Sequence, residues 1–353
     1  MDNARYDVVV VGGGAAGLSA ALVLGRARRR VAVVDGGAPR NAPAAQMHGF
    51  LSRDGMPPAD LLAVGREEAA DYGVDFIEGQ VVSIKPGFSV TLADGEALEA
   101  RRLLIATGAT DELPPIPGLR ERWGEDFLHC PYCHGWEVRD QPLGVLSTGA
   151  NSVEHAQLIR QWSDDLIFFT HTHDLTEAER EQLEARGIHV VDGEVRGLVV
   201  EDDRLRGVMI GNGRTVERAA LFVRPEIRPR LDGLLEHLDC QTNDLGFVRV
   251  DNAGRTSVPG VWAAGNASNP RAQVITAAGE GSAAAISINA DLVEEDARNA
   301  LHAASEGGGT DVRRLARNHV ARHAHLRPRD DRGAHRDLRA DALSPPTSGS
   351  APE

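Results

Sequence analysis

An α/β protein of two nested three-layer units, one interrupted by the other, is what the sequence predicts. Three observations carry this. The chain opens on a strand, a glycine turn, a helix and a second strand. The same plan recurs from Gly144. Strand-like segments from Phe247 onward then return to the first unit. A length of 353 residues suits two domains and an additional terminal segment.

Val8 to Val11 is a β-branched run of the kind buried on both faces of a parallel sheet. Gly12, Gly14 and Gly17 follow as G-x-G-x-x-G. Glycines at these positions allow a tight turn, close approach of a pyrophosphate and close helix–strand packing. Leu18 to Arg26 reads as the helix, whose N-terminal N–H groups suit phosphate. Val31 to Val34 is the next strand and ends at Asp35, where a carboxylate accepts hydrogen bonds from a ribose. With strand, helix and acid around it, the fingerprint reads as a dinucleotide site in a Rossmann-like unit.

Strands and turns follow from Asp75 to Gly108, with Asp94-Gly95 as a hairpin signal. In the repeat, Gly144 to Leu146 is a strand, Ser147 to Ser152 a turn and Val153 to Trp162 a helix. Leu166 to Phe169 is the next strand. His189 to Gly193, Gly211-Asn212-Gly213 and Leu221-Phe222-Val223 match Phe76 to Gly79, Asp94-Gly95 and Leu104-Ile105-Ala106. Phe247 to Val250 and Val261 to Asn266 read as strands of the first unit, and Ala277 to Val293 as a helix. Beyond about Glu306 the composition turns to Gly, Arg, His and Asp, which cannot bury a core, so disorder is expected there.

The formal net charge of −14 argues against sequence-independent nucleic-acid binding. No basic, apolar leader opens the chain, and no apolar run approaches the length of a membrane span. The expectation is a soluble cytoplasmic protein. There a close cysteine pair is more often a working redox couple than a staple.

Such a pair stands in His129-Cys130-Pro131-Tyr132-Cys133-His134, which holds two of the three cysteines. The thiolate is the reactive species, and a helix start lowers its pKa. His129 and His134 flank the pair as proton donors or acceptors. Haem attachment through Cys130-x-x-Cys133-His134 needs export and a haem ligand. Zinc needs more ligands at workable spacing, and Cys240 is the one remaining cysteine. An inert buried pair is the bland alternative. Cys240, His48 and the tail histidines His319, His323 and His325 read as packing or solvated residues.

The order GGGAAG, central CxxC, second Rossmann insert and closing AAGN…AQVITAAGEG resembles the low-molecular-weight thioredoxin reductase family, over roughly residues 5 to 296. The resemblance implies FAD in a discontinuous domain of residues 1–118 and 231–300. It implies an NAD(P)-binding-like domain over 119–230 that carries the cysteines, a tail over 301–353, and a homodimer. Gly12, Gly14, Ala15, Ala16, Gly17 and Asp35 would hold the ADP portion. Gly265 and Asn266 would approach the ribityl chain and phosphate. Gln273 and Val274 would lie near the flavin ring. Arg40, Asn41, Val82, Ala106, Thr107 and Gly108 complete the implied cofactor contacts. The family more usually has Asp at Asn266, and Asn still bonds a hydroxyl.

Three departures argue against productive NADPH binding. Ser147 and Ser152 replace two small positions of the second fingerprint, leaving Gly149. His171-Thr172-His173 stands where the family has a His-Arg-Arg grip for the 2′-phosphate, and guanidinium forks hold phosphate best. Arg224-Pro225-Glu226 replaces the small-residue turn. His134 stands where the family has Asp. This is similar to FAD-dependent dithiol oxidases, which close disulfides in small molecules and pass electrons to dioxygen. There Asn41 and His129 would face substrate thiols. The favoured reading is a dithiol oxidase acting on a small dithiol. The alternatives are an NAD(P)H-dependent reductase of a thioredoxin-like protein, and a flavin-bound sensor or scaffold without turnover.

Overall fold

The computed structural model describes residues 5–149, 151–231, 233–235 and 238–306. The first unit runs β1 (Tyr6–Val11), α1 (Ala15–Arg26), β2 (Val31–Asp35), α2 (Pro58–Ala70), β3 (Asp75–Glu78), β4 (Val81–Lys85), β5 (Ser89–Leu92) and β6 (Ala97–Ile105). Its sheet has the order β3-β2-β1-β6-β5-β4. The strands β3, β2, β1 and the second half of β6 are parallel, with Val9 opposite both Ala32 and Leu103. β5 and β4 fold back antiparallel as a meander.

β7 (Ala109–Glu112) leads out to β8 (Phe127–Leu128), α3 (Pro131–His134), β9 (Leu143–Leu146), α4 (Asn151–Ile159), β10 (Leu166–Phe169), α5 (Glu177–Glu184) and β11 (His189–Val191). The meander β12 (Val195–Glu201), β13 (Arg204–Ile210) and β14 (Thr215–Glu217) follows, then β15 (Ala220–Val223). The second sheet is parallel throughout, in the order β11-β10-β9-β15-β8. The plan of the first unit is therefore repeated. β16 (Glu226–Pro229) pairs antiparallel with β7, so outgoing and returning chain form one two-stranded ribbon. β17 (Val261–Ala263) rejoins the first sheet beside β6, and α6 (Val274–Glu306) closes the described chain.

The valine run of β1 is explained by burial on both faces. Val8 and Val10 pack with Ala20, Ala21 and Leu24 of α1 and with Ala284, Ala285 and Ile288 of α6. Val9 and Val11 pack with Ile84, Val90 and Leu92 under the meander. In the second unit Val145 and Phe168 pack with Val153 and Ile159 of α4, and Leu146 and Phe169 with Val208 and Ile210 of β13.

The structure departs from sequence expectation in two places. Phe247 to Val250 forms no strand; Val248 makes an isolated bridge to Thr242, and Phe247 and Val248 are both buried, without the alternation of a strand. The last helix runs Val274–Glu306, so residues 301–306 are helical rather than tail. Good helix formers such as Glu294, Arg298 and Ala300 carry the helix past Val293. The rest of the expected tail, with His319, His323 and His325, lies outside the described residues. Two helices carry little sequence signal. α2 buries Pro58 and Ala69 alone, so it has no apolar stripe. α5 is marked by its Thr176–Glu179 capping box.

One buried ion pair ties the second sheet to its meander. Arg122 bonds Asp126 in bidentate fashion at 2.9 and 2.7 Å, and Asp126 also accepts the Leu205 N–H at 2.7 Å. Arg122 also reaches the exposed Asp203, so removing Asp126 leaves the buried guanidinium with a solvent-screened partner alone. Asp126→Asn is expected to lower unfolding stability by about 3 kcal/mol. A urea midpoint unchanged from the parent would contradict this.

Candidate active site

A cavity of about 1430 Å³ runs from the first glycine turn to the cysteine pair. This exceeds the usual range of small-ligand pockets, roughly 300–1,000 Å³, and leaves room for an extended dinucleotide. Gly12, Gly14, Ala15, Ala16, Asp35, Arg40, Asn41, Ala106, Thr107, Gly108, Gly265, Asn266, Gln273 and Val274 all line it, as do His129, Cys130, Cys133 and His134. Two expected residues do not. Gly17 is a packing position, since a Cβ there would lie 1.9 Å from the Gly12 carbonyl oxygen. Val82 turns outward on β4 and is 47% exposed, while the preceding Val81 lines the cavity. Side chains alternate along a strand, so the one-residue offset reverses the face.

The walls suit FAD. Gly12 has φ +110°, and its Cβ would meet the Ala106 carbonyl oxygen at 2.3 Å. A Cβ on Gly14 would meet nothing within 4 Å, so its backbone faces open space at the start of α1. The Thr107 hydroxyl is buried without a partner. These are a close backbone cradle, uncapped helix N–H groups and an orphaned hydroxyl, each suited to phosphate or hydroxyl groups. Asp35 is less open than its sequence position implies, because Arg66 of α2 pairs with its carboxylate. Asn266 shapes the wall: its amide donates to Asn269 O at 2.8 Å and Ala272 O at 3.0 Å and accepts from Arg40 at 3.2 Å. Arg40 in turn holds Asp111 of β7 at 2.9 and 2.6 Å.

Cys130 caps α3, and a disulfide joins it to Cys133 with their Cα atoms 5.2 Å apart. Pro131 at the first helical position fixes the turn. α3 is a single turn of four residues, so the macrodipole expected to favour a thiolate is small. Gln273, just before α6, donates to the Cys130 sulfur at 3.9 Å. Tyr132 and Trp136 stand 63% and 65% exposed beside the pair.

Burial makes the flanking histidines neutral. It pushes His129 down to about 4; Asp111 opposes this, while the Arg40, Arg224 and His134 charges add to it. His134 is lowered chiefly by burial as well. Both are therefore proton acceptors near pH 7 rather than donors. His155 of α4 has no sequence motif to mark it. It is 7% exposed, and its Nε2 lies 3.0 Å from the His129 carbonyl oxygen, to which it donates. Burial holds it at about 4 too. The unfolded chain binds this proton below pH 6.5 and the folded chain does not, so the stability is complete above 6.5 and lost as pH falls toward 4. At pH 5 the loss from His155 is about 2 kcal/mol. His155→Phe is expected to flatten the decline in urea stability between pH 7 and 5 by that amount.

The second glycine turn is closed from within. The Thr148 N–H donates to the Ser152 hydroxyl at 3.0 Å, and the Thr148 hydroxyl donates to the Arg224 carbonyl at 2.9 Å. At the next strand end, His171 Nδ1 accepts the Val195 N–H at 3.0 Å, and His173 Nε2 lies 3.8 Å from the Glu179 carboxylate. An incoming phosphate would find occupied donors and an acid. The adjoining pocket is about 450 Å³.

A nucleotide cradle beside a disulfide is the arrangement of a flavin-linked disulfide oxidoreductase. Residues 6–281 match the pyridine nucleotide-disulphide oxidoreductase family, and the chain belongs to it. It is an FAD-dependent oxidoreductase, thioredoxin reductase-like in sequence and fold. The crystal structure of HlmI is 55% identical, covers 86% of this chain and 98% of its own, and superposes with a TM-score of 0.84. An oxidoreductase from Agrobacterium tumefaciens is 35% identical over 82% of this chain and 99% of its own, with a TM-score of 0.77. Thioredoxin reductase sirT of Leptosphaeria maculans is 30% identical over 82% of this chain and 95% of its own length. Among the described residues no helix is long and apolar enough to cross a membrane.

Proposed function

We propose that this protein is a dithiol oxidase that draws electrons from a small dithiol through Cys130 and Cys133. The single observation that carries the reading is the closed second nucleotide turn, with Ser152 on the Thr148 N–H, His171 on the Val195 N–H, and Arg196, the guanidinium near His171, paired with Glu194. The FAD-binding role is assigned to residues 1–118 and 231–300, and the redox segment to 119–230, in a cytoplasmic homodimer.

The substrate's first thiolate attacks one sulfur of the Cys130–Cys133 bond. That bond breaks and a mixed disulfide forms, leaving the other cysteine as thiolate. The substrate's second thiol then attacks the mixed disulfide and leaves as a closed disulfide, with both cysteines reduced. His129 and His134, neutral and lining the same cavity, are assigned to relaying the thiol protons to water rather than to holding them. Held by the Gly12–Gly14 turn, Thr107 and the start of α1, FAD would supply a two-electron acceptor for the reduced cysteines that dioxygen can reoxidise. The net change is dithiol plus dioxygen to disulfide plus hydrogen peroxide. Asn41 lines the cavity and is assigned to the substrate side.

The competing reading runs from NAD(P)H to a thioredoxin-like protein, and the name of the sirT relative favours it. Anaerobic mixing separates the two. Dithiothreitol is expected to bleach the flavin absorbance, with recovery and peroxide on adding air. NADPH is expected to bleach it on the order of a hundredfold more slowly, from the loss of two charge-assisted bonds to its 2′-phosphate, and NADH is expected to be slow as well because the second glycine turn is bonded across. Rapid bleaching by NADPH would sink the oxidase reading. No bleaching by any dithiol would leave a flavin-bound sensor or scaffold.

A further inference from the structure

We infer that Arg224 is a positioning residue for the redox pair: it fastens the second glycine turn and sets a fixed positive charge in the wall of the disulfide cavity. The inference builds on the reading above, in which no nicotinamide occupies that turn.

Arg224 follows β15 directly, at the place where the first unit has its Ala106-Thr107-Gly108 strand end. In the first unit those residues line the cofactor cavity. In the second the corresponding arginine lines two cavities at once, the large one with the disulfide and the smaller one at the closed turn. Its carbonyl accepts the Thr148 hydroxyl at 2.9 Å. Its guanidinium reaches back to the first turn of α4, 3.5 Å from the Asn151 carbonyl oxygen and 3.6 Å from the Glu154 carboxylate. Backbone and side chain thus fasten the two sides of the turn together.

Its charge is only loosely matched. Arg40, another arginine of the same cavity, is held in a bidentate pair by Asp111. Arg224 has one long contact to Glu154, whose side chain is 83% exposed. Water screens such a partner well. The guanidinium acts on His129, which precedes Cys130, and on His155, which bonds the His129 carbonyl, though not on His134. After burial, Arg224 is among the charges that hold both His129 and His155 unprotonated. The same field favours a thiolate over a thiol. Because α3 is one turn long, this side chain supplies what a helix dipole does not.

The experiment reads thiolate character directly. In a Cys240→Ser background, the FAD-loaded protein is reduced anaerobically with dithiothreitol and freed of excess reductant. The rate of alkylation by neutral iodoacetamide is then measured at pH 7. Arg224→Gln is expected to slow alkylation on the order of threefold to tenfold, as loss of one nearby, partly screened charge does. Arg224→Lys is expected to restore most of the rate. Glu154→Gln removes the loose counter-charge and is expected to raise it. Equal slowing in Arg224→Gln and Arg224→Lys would reduce the residue to a fastening of the turn and overturn the electrostatic role. An unchanged rate in Arg224→Gln, or no increase in Glu154→Gln, would overturn it as well. Alkylation does not depend on the direction of electron flow. Failure of the oxidase reading would appear as rapid NADPH bleaching instead.

Discussion

Cys133→Ser is expected to slow anaerobic flavin bleaching by dithiothreitol at least about a thousandfold, the scale on which loss of a nucleophile acts. Cys130→Ser is expected to do the same. The proposed exchange needs a sulfur–sulfur bond to attack and a second sulfur to leave, and serine can do neither. The flavin content of both variants should match the parent. Neither cysteine belongs to the glycine cradle: the atoms nearest a Cβ at Gly12 or Gly13 are those of Ala106, Thr107 and Asp35. Bleaching within tenfold of the parent in either variant would mean that electrons reach the flavin without the pair.

Gly281→Ala is the second large effect. A Cβ at Gly281 would stand 2.0 Å from the Ala16 carbonyl oxygen and 2.9 Å from its Cα. That contact is backbone, so the clash cannot be relieved by a side-chain rotation. α6 must move off the first turn of α1. Overpacking of this kind costs about 1–3 kcal/mol. The cofactor suffers more than the fold, because Ala15 and Ala16 at one helix start and Gln273 and Val274 at the other line the same cavity. A displacement near 1 Å costs on the order of a hundredfold. The purified variant should therefore lose most of its flavin, read as the ratio of flavin to protein absorbance. Gly279→Ala is the control. Its Cβ would meet no atom within 4 Å. Alanine in a helix is favoured over glycine by roughly 0.5–1 kcal/mol. Flavin loss in Gly279→Ala equal to that in Gly281→Ala would refute the packing argument.

Much of this was legible in the sequence because it rests on short-range rules. A valine run buried on both faces, followed by spaced glycines and an acid, has few alternative folds, and β1, α1 and β2 follow it closely. The repeat in the second half was legible for the same reason. What escaped depends on distance in the chain. Arg66 reaches Asp35 from a helix with no apolar stripe, and nothing local announces that pairing. His155 touches His129 across 26 positions. Burial, not sequence, turns the flanking histidines from possible proton donors into acceptors. Val82 was misplaced by one residue, which on a strand means the opposite face. Phe247 and Val248 are apolar because they are covered, and that alone does not make a strand.

The hydrogen bonds across the second glycine turn bear on how it responds to substitution. Ser152 holds the Thr148 N–H, the Thr148 hydroxyl holds the Arg224 carbonyl, and His171 holds the Val195 N–H. Removing one leaves the others in place, and coupled sites do not add. The turn is therefore buffered: its shape belongs to the set of bonds and not to any one of them.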